Sequence, residues 1–166
     1  IALAAEMLLS SGIASTNQQA MRLARDALES GRAVESFARM VNSLGGPADF
    51  IEKMHEHLPA APIQRAVIAR QSGFVREIST REIGIAVVDL GGGRTRPEDS
   101  VDHGVGLTEL LPIGAEVHEG DALAVIHARS DDDFRRVAEN VQAAYTIGEP
   151  RPAPAKSVQR RIGVRY

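Results

Sequence analysis

The apolar positions along this chain keep a helical period up to about residue 58 and a strand-like period over much of the remainder. Ile1–Ser11 is apolar apart from Glu6 and the serines, which fits a helix closed by Gly12 in a left-handed cap. Ser15 or Thr16 is placed to cap a second helix, with Gln18 or Gln19 as capping-box partner. Ala20, Leu23, Ala24, Ala27 and Leu28 recur at helical spacing, and Gly31 ends the run. Val34, Phe37, Ala38, Val41 and Leu44 share one face of a third helix over Ala33–Leu44, which Gly45-Gly46-Pro47 stops. Asp49–His57 reads as a short polar helical turn.

Pro59-Ala-Ala-Pro62 breaks this pattern, and the domain boundary is placed here, dividing 1–58 from 59–166. Ile63–Ala69 and Phe74–Ile78 read as strands on either side of the turn signal Ser72-Gly73. Thr80 is a candidate cap for a helix over Arg81–Leu90, ended by Gly91. Val101–Leu111 and Ala115–Val117 are strand-like, and Glu119-Gly120-Asp121 makes a tight turn into a strand over Ala122–His127. Asp131–Asp133 opens a helix whose dipole favours acids there, and Val137, Val141 and Ala144 carry it to about Ile147. Pro150–Pro154 is an extended linker, and a last strand is expected over Ser157–Val164. No internal repeat occurs. Short strands separated by glycine turns, with one helix inserted and one appended, predict an α+β sandwich after the opening helices.

Composition narrows the chemistry. The 166 residues are 43% hydrophobic and 25% charged, ordinary for a globular domain. A net charge of −3 gives no general attraction to nucleic acid or anionic membranes. Aromatic residues make up only 4%, too few for base-stacking platforms. With no cysteine, disulfides, thiolate metal sites and cysteine nucleophiles are excluded, which suits a reducing compartment. The apolar run at Ile1–Leu9 lacks a basic leader and is too short for a signal peptide or a membrane span. It reads as a helix whose natural start lies upstream, so the chain is expected to be the rear part of a longer protein.

Several groups invite a chemical reading. Asp131-Asp132-Asp133 is a carboxylate cluster, but a solvated helix start explains it. His55 and His57 face different sides of a helix, and no third ligand comes after them at metal-site spacing. Asp102-His103 suggests a general base, though no serine or threonine is evidently placed as its nucleophile. His118 and His127 fall in strand-like segments and read as structural. Gly91-Gly92-Gly93-Arg94 offers backbone amides and a guanidinium to a phosphate, yet it comes after a helix where phosphate loops precede one. Three glycines are costly to fix in one shape, so a mobile hinge or closing loop is the better reading.

Pro112–Ile126 carries the Gly-x-x-Val-x-x-Gly-Asp-x-Leu-x-x-Ile cadence of biotinyl and lipoyl carrier domains. A carrier needs a lysine on a hairpin tip, and Lys53 and Lys156 are the chain's only lysines. The cadence therefore signals β-architecture without carrier chemistry. Longer landmarks occur in one order: Phe37-x-x-Met-Val41, Gly46-Pro-x-Asp-Phe50, Gly73-Phe-Val75, Arg81-x-x-Gly-x-Ala-Val-Val88, Gly91-Gly-Gly-Arg94, Val105-Gly106 and Leu123-Ala-Val-Ile-His-Ala128. Glu6-Met-Leu8 and Glu29–Arg39 extend them toward the start. With these the chain resembles the C-terminal part of the pyrimidine-nucleoside phosphorylase family, the thymidine phosphorylase type in particular, over nearly its whole length.

The resemblance implies helices of an α/β lobe followed by an α/β-hammerhead, related to the barrel-sandwich of the carrier domains. It implies the reaction of thymidine and phosphate to thymine and 2-deoxyribose 1-phosphate, in a cytoplasmic homodimer. Phosphate is then a co-substrate, with no organic cofactor, no nucleic acid and no membrane as partner. The family's phosphate-binding and pyrimidine-reading motifs do not occur here, so no catalytic, phosphate-binding or metal residue is carried over. What is carried over is Gly91, Gly92, Gly93 and Arg94 as a loop that faces the interlobe cleft and moves on closure. The chain alone is expected to be inert, with apolar residues such as Leu3, Met7 and Leu8 left without their usual cover. The alternatives are a non-catalytic binding or regulatory hammerhead module, or a phosphorylase for another nucleoside such as uridine.

Overall fold

The computed structural model describes residues 1–154 and 156–162. The chain divides into two compact units, Ile1–His57 with the described C-terminal residues 156–162, and Leu58–Pro154.

The first unit holds α1 (Ala2–Ser10), α2 (Asn17–Glu29), α3 (Arg32–Ser43) and the single turn α4 (Met54–His57). Thr16 caps α2 by accepting from the Gln19 amide at 3.2 Å. The Gln19 side chain reaches back to the Ser15 amide at 3.0 Å, one residue before the usual capping-box donor. Ala5, Ala14 and Ala20 are buried at the contact of α1 with α2, because small side chains let two backbones approach. Leu8 packs partly against them, while Leu3 and Met7 are 64% and 72% exposed. Gly45 ends α3 at φ +89°. The Gly46 amide then returns to the Val41 carbonyl at 2.9 Å, closing a Schellman cap. Arg161 clasps Glu6 through its Nε at 2.7 Å, and this contact holds the Glu6 carboxyl below its ordinary pKa.

The second unit is built on two three-stranded antiparallel sheets. One has the order β1 (Ile63–Ile68), β5 (Ala122–Ala128), β3 (Gly106–Thr108). The other has β4 (Glu116–Val117), β2 (Gly73–Ile78), β6 (Tyr145–Gly148). The strands flanking Ser72-Gly73 do not form a hairpin: β1 pairs with β5 and β2 with β4 and β6, so the turn passes the chain between sheets. β5 is central in its sheet and covered on both faces, which is why it reads as a continuous apolar run. Leu123, Ala124, Ile126 and Ala128 are all buried. From α6 (Asp131–Ala143), Val137 and Val141 point into the same core four residues apart. Val67, Val75, Val117 and Tyr145 complete it. The inserted helix α5 (Thr80–Asp89) contributes Ala86.

Four expectations are corrected. The last helix stops at Ala143, and Tyr145–Gly148 is a strand: sheet pairing with β2 from Phe74 to Ile78 overrides the continuing apolar period. The strand over Val101–Leu111 shrinks to Gly106–Thr108, because a hydrogen-bonded loop takes the residues before it. No strand forms at 157–162, and positions 163 and 164 lie outside the described residues. The helix over 80–89 also begins without a side-chain cap, Ser79 standing at its N-cap position.

Candidate functional site

The triglycine sits at the C-terminus of α5, and each glycine there meets a local demand. Gly91 takes φ +93°. Its amide donates to the Val88 carbonyl, and the Gly92 amide donates to the Val87 carbonyl, each at 2.9 Å. This Schellman pattern satisfies the helix's last carbonyls. A Cβ on Gly92 would lie 2.9 Å from Val87 Cγ1, and one on Gly93 2.7 Å from Val88 Cγ2. Two of the three amides are thus spent on capping, at the end of a helix where the dipole repels anions. The phosphate-cradle reading of this segment has no geometric support.

Beyond it the chain is gathered by two aspartates. Asp99 Oδ2 accepts from the Thr95 hydroxyl at 2.6 Å, the Arg96 amide at 2.8 Å and the Thr95 amide at 3.0 Å. These contacts, the Thr95 hydroxyl first, hold its carboxyl below the usual range. The Asp102 amide donates to the Gly91 carbonyl at 2.9 Å, closing the base of the loop. Arg94 and Arg96 are exposed.

Asp102 does not form a dyad with His103. Its carboxylate takes both Nε and Nη2 of Arg129 at 2.6 Å, and Oδ1 also accepts from the Gly104 amide at 2.9 Å. The Arg129 guanidinium, with help from that amide, brings the Asp102 carboxyl down from 3.8 to about 2. A bidentate arginine pair and an Asx turn explain the residue without catalysis. A depressed carboxyl pKa contributes stability above the unfolded value and loses it as pH falls through the folded one. The melting temperatures of the wild type and Asp102→Asn are therefore expected to differ at neutral pH and to converge between about pH 4 and pH 2. A gap that stays constant down to pH 2 would contradict this.

The remaining candidates are structural. Asp131 pairs with Arg65 at 2.6 Å, Asp132 with Arg135 at 3.1 Å and Asp133 with Arg136 at 2.6 Å. Ser130 caps α6 by accepting from the Asp133 amide. His57 bonds Asp49 at 2.8 Å and stacks on Phe50, His127 bonds Thr108 across the sheet at 2.8 Å, and His118 faces Asp121 at 3.4 Å. Among the described residues no three His, Asp or Glu side chains gather as a metal site. No described helix is long and apolar enough to cross a membrane.

Three residues that sequence reasoning passed over hold this region together: Asp99, Arg129 and Arg136. Besides its ion pair, Arg136 donates to the Asp89 carbonyl at the end of α5 at 3.0 Å. Asp102-His103-Gly104 carried a signal only for the bond from the Gly104 amide to the Asp102 carboxylate, because Asp-x-Gly favours a side-chain-to-amide turn.

Residues 74–148 match the pyrimidine nucleoside phosphorylase C-terminal domain family. Over 162 residues the chain is 59% identical to a thymidine phosphorylase of Mesorhizobium japonicum, covering 98% of this chain and 37% of that protein. It is 44% identical, with the same coverage, to a thymidine phosphorylase of Agrobacterium fabrum. With one of Rhizobium meliloti it shares 45% identity over 153 residues, which is 92% of this chain and 35% of the relative. The chain thus spans little more than a third of the length of these relatives.

Proposed function

Because the chain belongs to the pyrimidine nucleoside phosphorylase family, as its C-terminal portion, we propose that it serves a pentosyltransferase that cleaves thymidine with phosphate. In that reaction a phosphate oxygen bonds to the anomeric carbon of the deoxyribose. The bond from that carbon to N1 of thymine breaks, its electron pair leaves with the base, and a proton completes free thymine. The observation that carries the reading is 59% identity along 98% of the chain to a protein of that name.

In this reading the hammerhead lies within residues 59–166, its compact part being Leu58–Pro154, and 1–58 are helices of the α/β lobe. Gly91–Arg94 is the loop that closes on the interlobe cleft, where excluding water keeps the sugar for phosphate. Its support is a firm base beside an exposed tip: Gly91 is bonded to Asp102, while Arg94 and Arg96 stand in solvent. A cytoplasmic homodimer without an organic cofactor, partnered by neither nucleic acid nor membrane, belongs to the same reading.

The chain alone is expected to be inert, since it supplies scaffold and loop but none of the family's phosphate-binding motif. Phosphate-dependent release of thymine from thymidine, monitored by absorbance, tests both parts. The full-length protein is expected to give it and the 166-residue chain is not. Thymine above background from the chain would overturn the second part. A full-length protein that cleaves uridine but not thymidine would overturn the first.

A further inference from the structure

Arg129 comes directly after β5 and holds two segments that are distant in sequence. Its Nε and Nη2 take the Asp102 carboxylate at 2.6 Å, and its Nη1 donates to the Ala60 carbonyl at 3.1 Å. Asp102 in turn closes the Gly91 loop, through its amide on the Gly91 carbonyl at 2.9 Å. Ala60 belongs to the stretch by which the chain enters the strand-rich unit, and its neighbour Ala61 is buried. One guanidinium thus joins the base of the glycine loop, the entry segment and the end of the central strand.

The surrounding backbone keeps room for this contact. A Cβ on Gly104 would stand 2.6 Å from Arg129 Nη2, 3.3 Å from Asp102 Oδ1 and 3.4 Å from the Ala60 carbonyl carbon. Gly104 is buried and has no left-handed φ, so backbone conformation does not require glycine there. The space filled by the guanidinium does. A planar fork with five donors is the side chain able to take a carboxylate with one edge and a carbonyl with another nitrogen.

We propose that Arg129 is a positioning residue that couples the Gly91–Arg94 loop to the entry segment at Leu58–Pro62, so that the two are ordered or released together. The proposal rests on reading Gly91–Arg94 as the closing loop, and it adds the element that ties that loop to the segment at the unit border. Loop closure and any movement of the entry segment then draw on the same contact. The Asp102 carboxylate stays ionised across the physiological range, so the latch does not open by titration.

The test is amide hydrogen exchange for the loop and limited proteolysis for the entry segment, on the 166-residue chain without nucleoside or phosphate, so the outcome is independent of any phosphorolysis assay. Arg129→Met keeps the apolar stem and removes the fork. Exchange is expected to speed by about tenfold in peptides covering 91–104, and elastase cleavage at Ala60–Ala61 in the proline-flanked stretch 58–62 by a similar factor, with exchange in α6 and β5 unchanged. Gly104→Ala displaces the guanidinium without removing its charge and is expected to give the same two-segment pattern. Arg129→Lys restores a charge to Asp102 without the fork, so the loop regains protection and 58–62 stays loose. Acceleration of one segment alone in Arg129→Met, no acceleration, or a rise spread through β5 and α6 would each overturn the coupling. So would an Arg129→Lys variant that restores both segments or neither.

Discussion

Leu123→Ala is expected to lower the stability of the strand-rich unit by about 2–5 kcal/mol, a fall in melting temperature of roughly 10–30 °C. Leu123 is fully buried near the start of the central strand β5. Its carbonyl accepts from the Leu111 amide at 2.9 Å and from the Tyr145 hydroxyl at 3.3 Å. That backbone is therefore held from two sides and cannot collapse into the space the side chain leaves, which places the cost toward the upper part of the range. Burial also raises the Tyr145 hydroxyl pKa, so it remains a donor at neutral pH. Ile113→Ala is the control: Ile113 is 52% exposed, and its truncation is expected to change stability by less than about 0.5 kcal/mol. Denaturant unfolding monitored by circular dichroism separates the two. Equal effects would mean that the core is not centred on β5.

Gly92→Ala and Gly84→Ala are expected to move stability in opposite directions although both add one methyl group near α5. At position 92 the new Cβ would meet Val87 Cγ1 at 2.9 Å and two carbonyl oxygens, of Val87 and Val105, at 3.2 and 3.4 Å. Backbone atoms cannot rotate away, so overpacking of about 1–3 kcal/mol is expected. Gly84 lies inside α5 with nothing within 4 Å of an added Cβ. There alanine is expected to stabilise by about 0.5–1 kcal/mol through the lower conformational freedom of the unfolded chain. Paired melting curves decide the matter. A neutral Gly92→Ala would return the triglycine to a role in flexibility alone.

The helices of the first unit were legible because their punctuation is local. Gly12, Gly31 and Gly45 all take positive φ at helix ends, and Thr16 and Gln19 make the cap their spacing implies. The two-sheet split was not, because nothing near Ser72-Gly73 states whether β1 and β2 pair with each other or with strands far along the chain. The end of α6 was misplaced for a similar reason. Val141, Ala144, Tyr145 and Ile147 continue an apolar pattern, and only β2, far upstream, pulls Tyr145 into a sheet. Gly91–Arg94 was picked out by composition, but the spacing of Val87 and Val88 that explains its glycines becomes visible only once α5 is built. The Asp102–Arg129 pair spans 27 positions, and the adjacent His103 offered a closer but false partner.

The border between the two units has a practical bearing on chemical labelling. Both lysines lie in the helical unit, Lys53 beside Asp49 at 3.3 Å and Lys156 in the C-terminal segment, so Leu58–Pro154 contains no side-chain amine. Amine-directed dyes and crosslinkers therefore mark the first unit and leave Leu58–Pro154, with its sheets and its two helices, untouched. A lysine inserted on the Gly91 loop would become a unique handle within the strand-rich unit for fluorescence reporters.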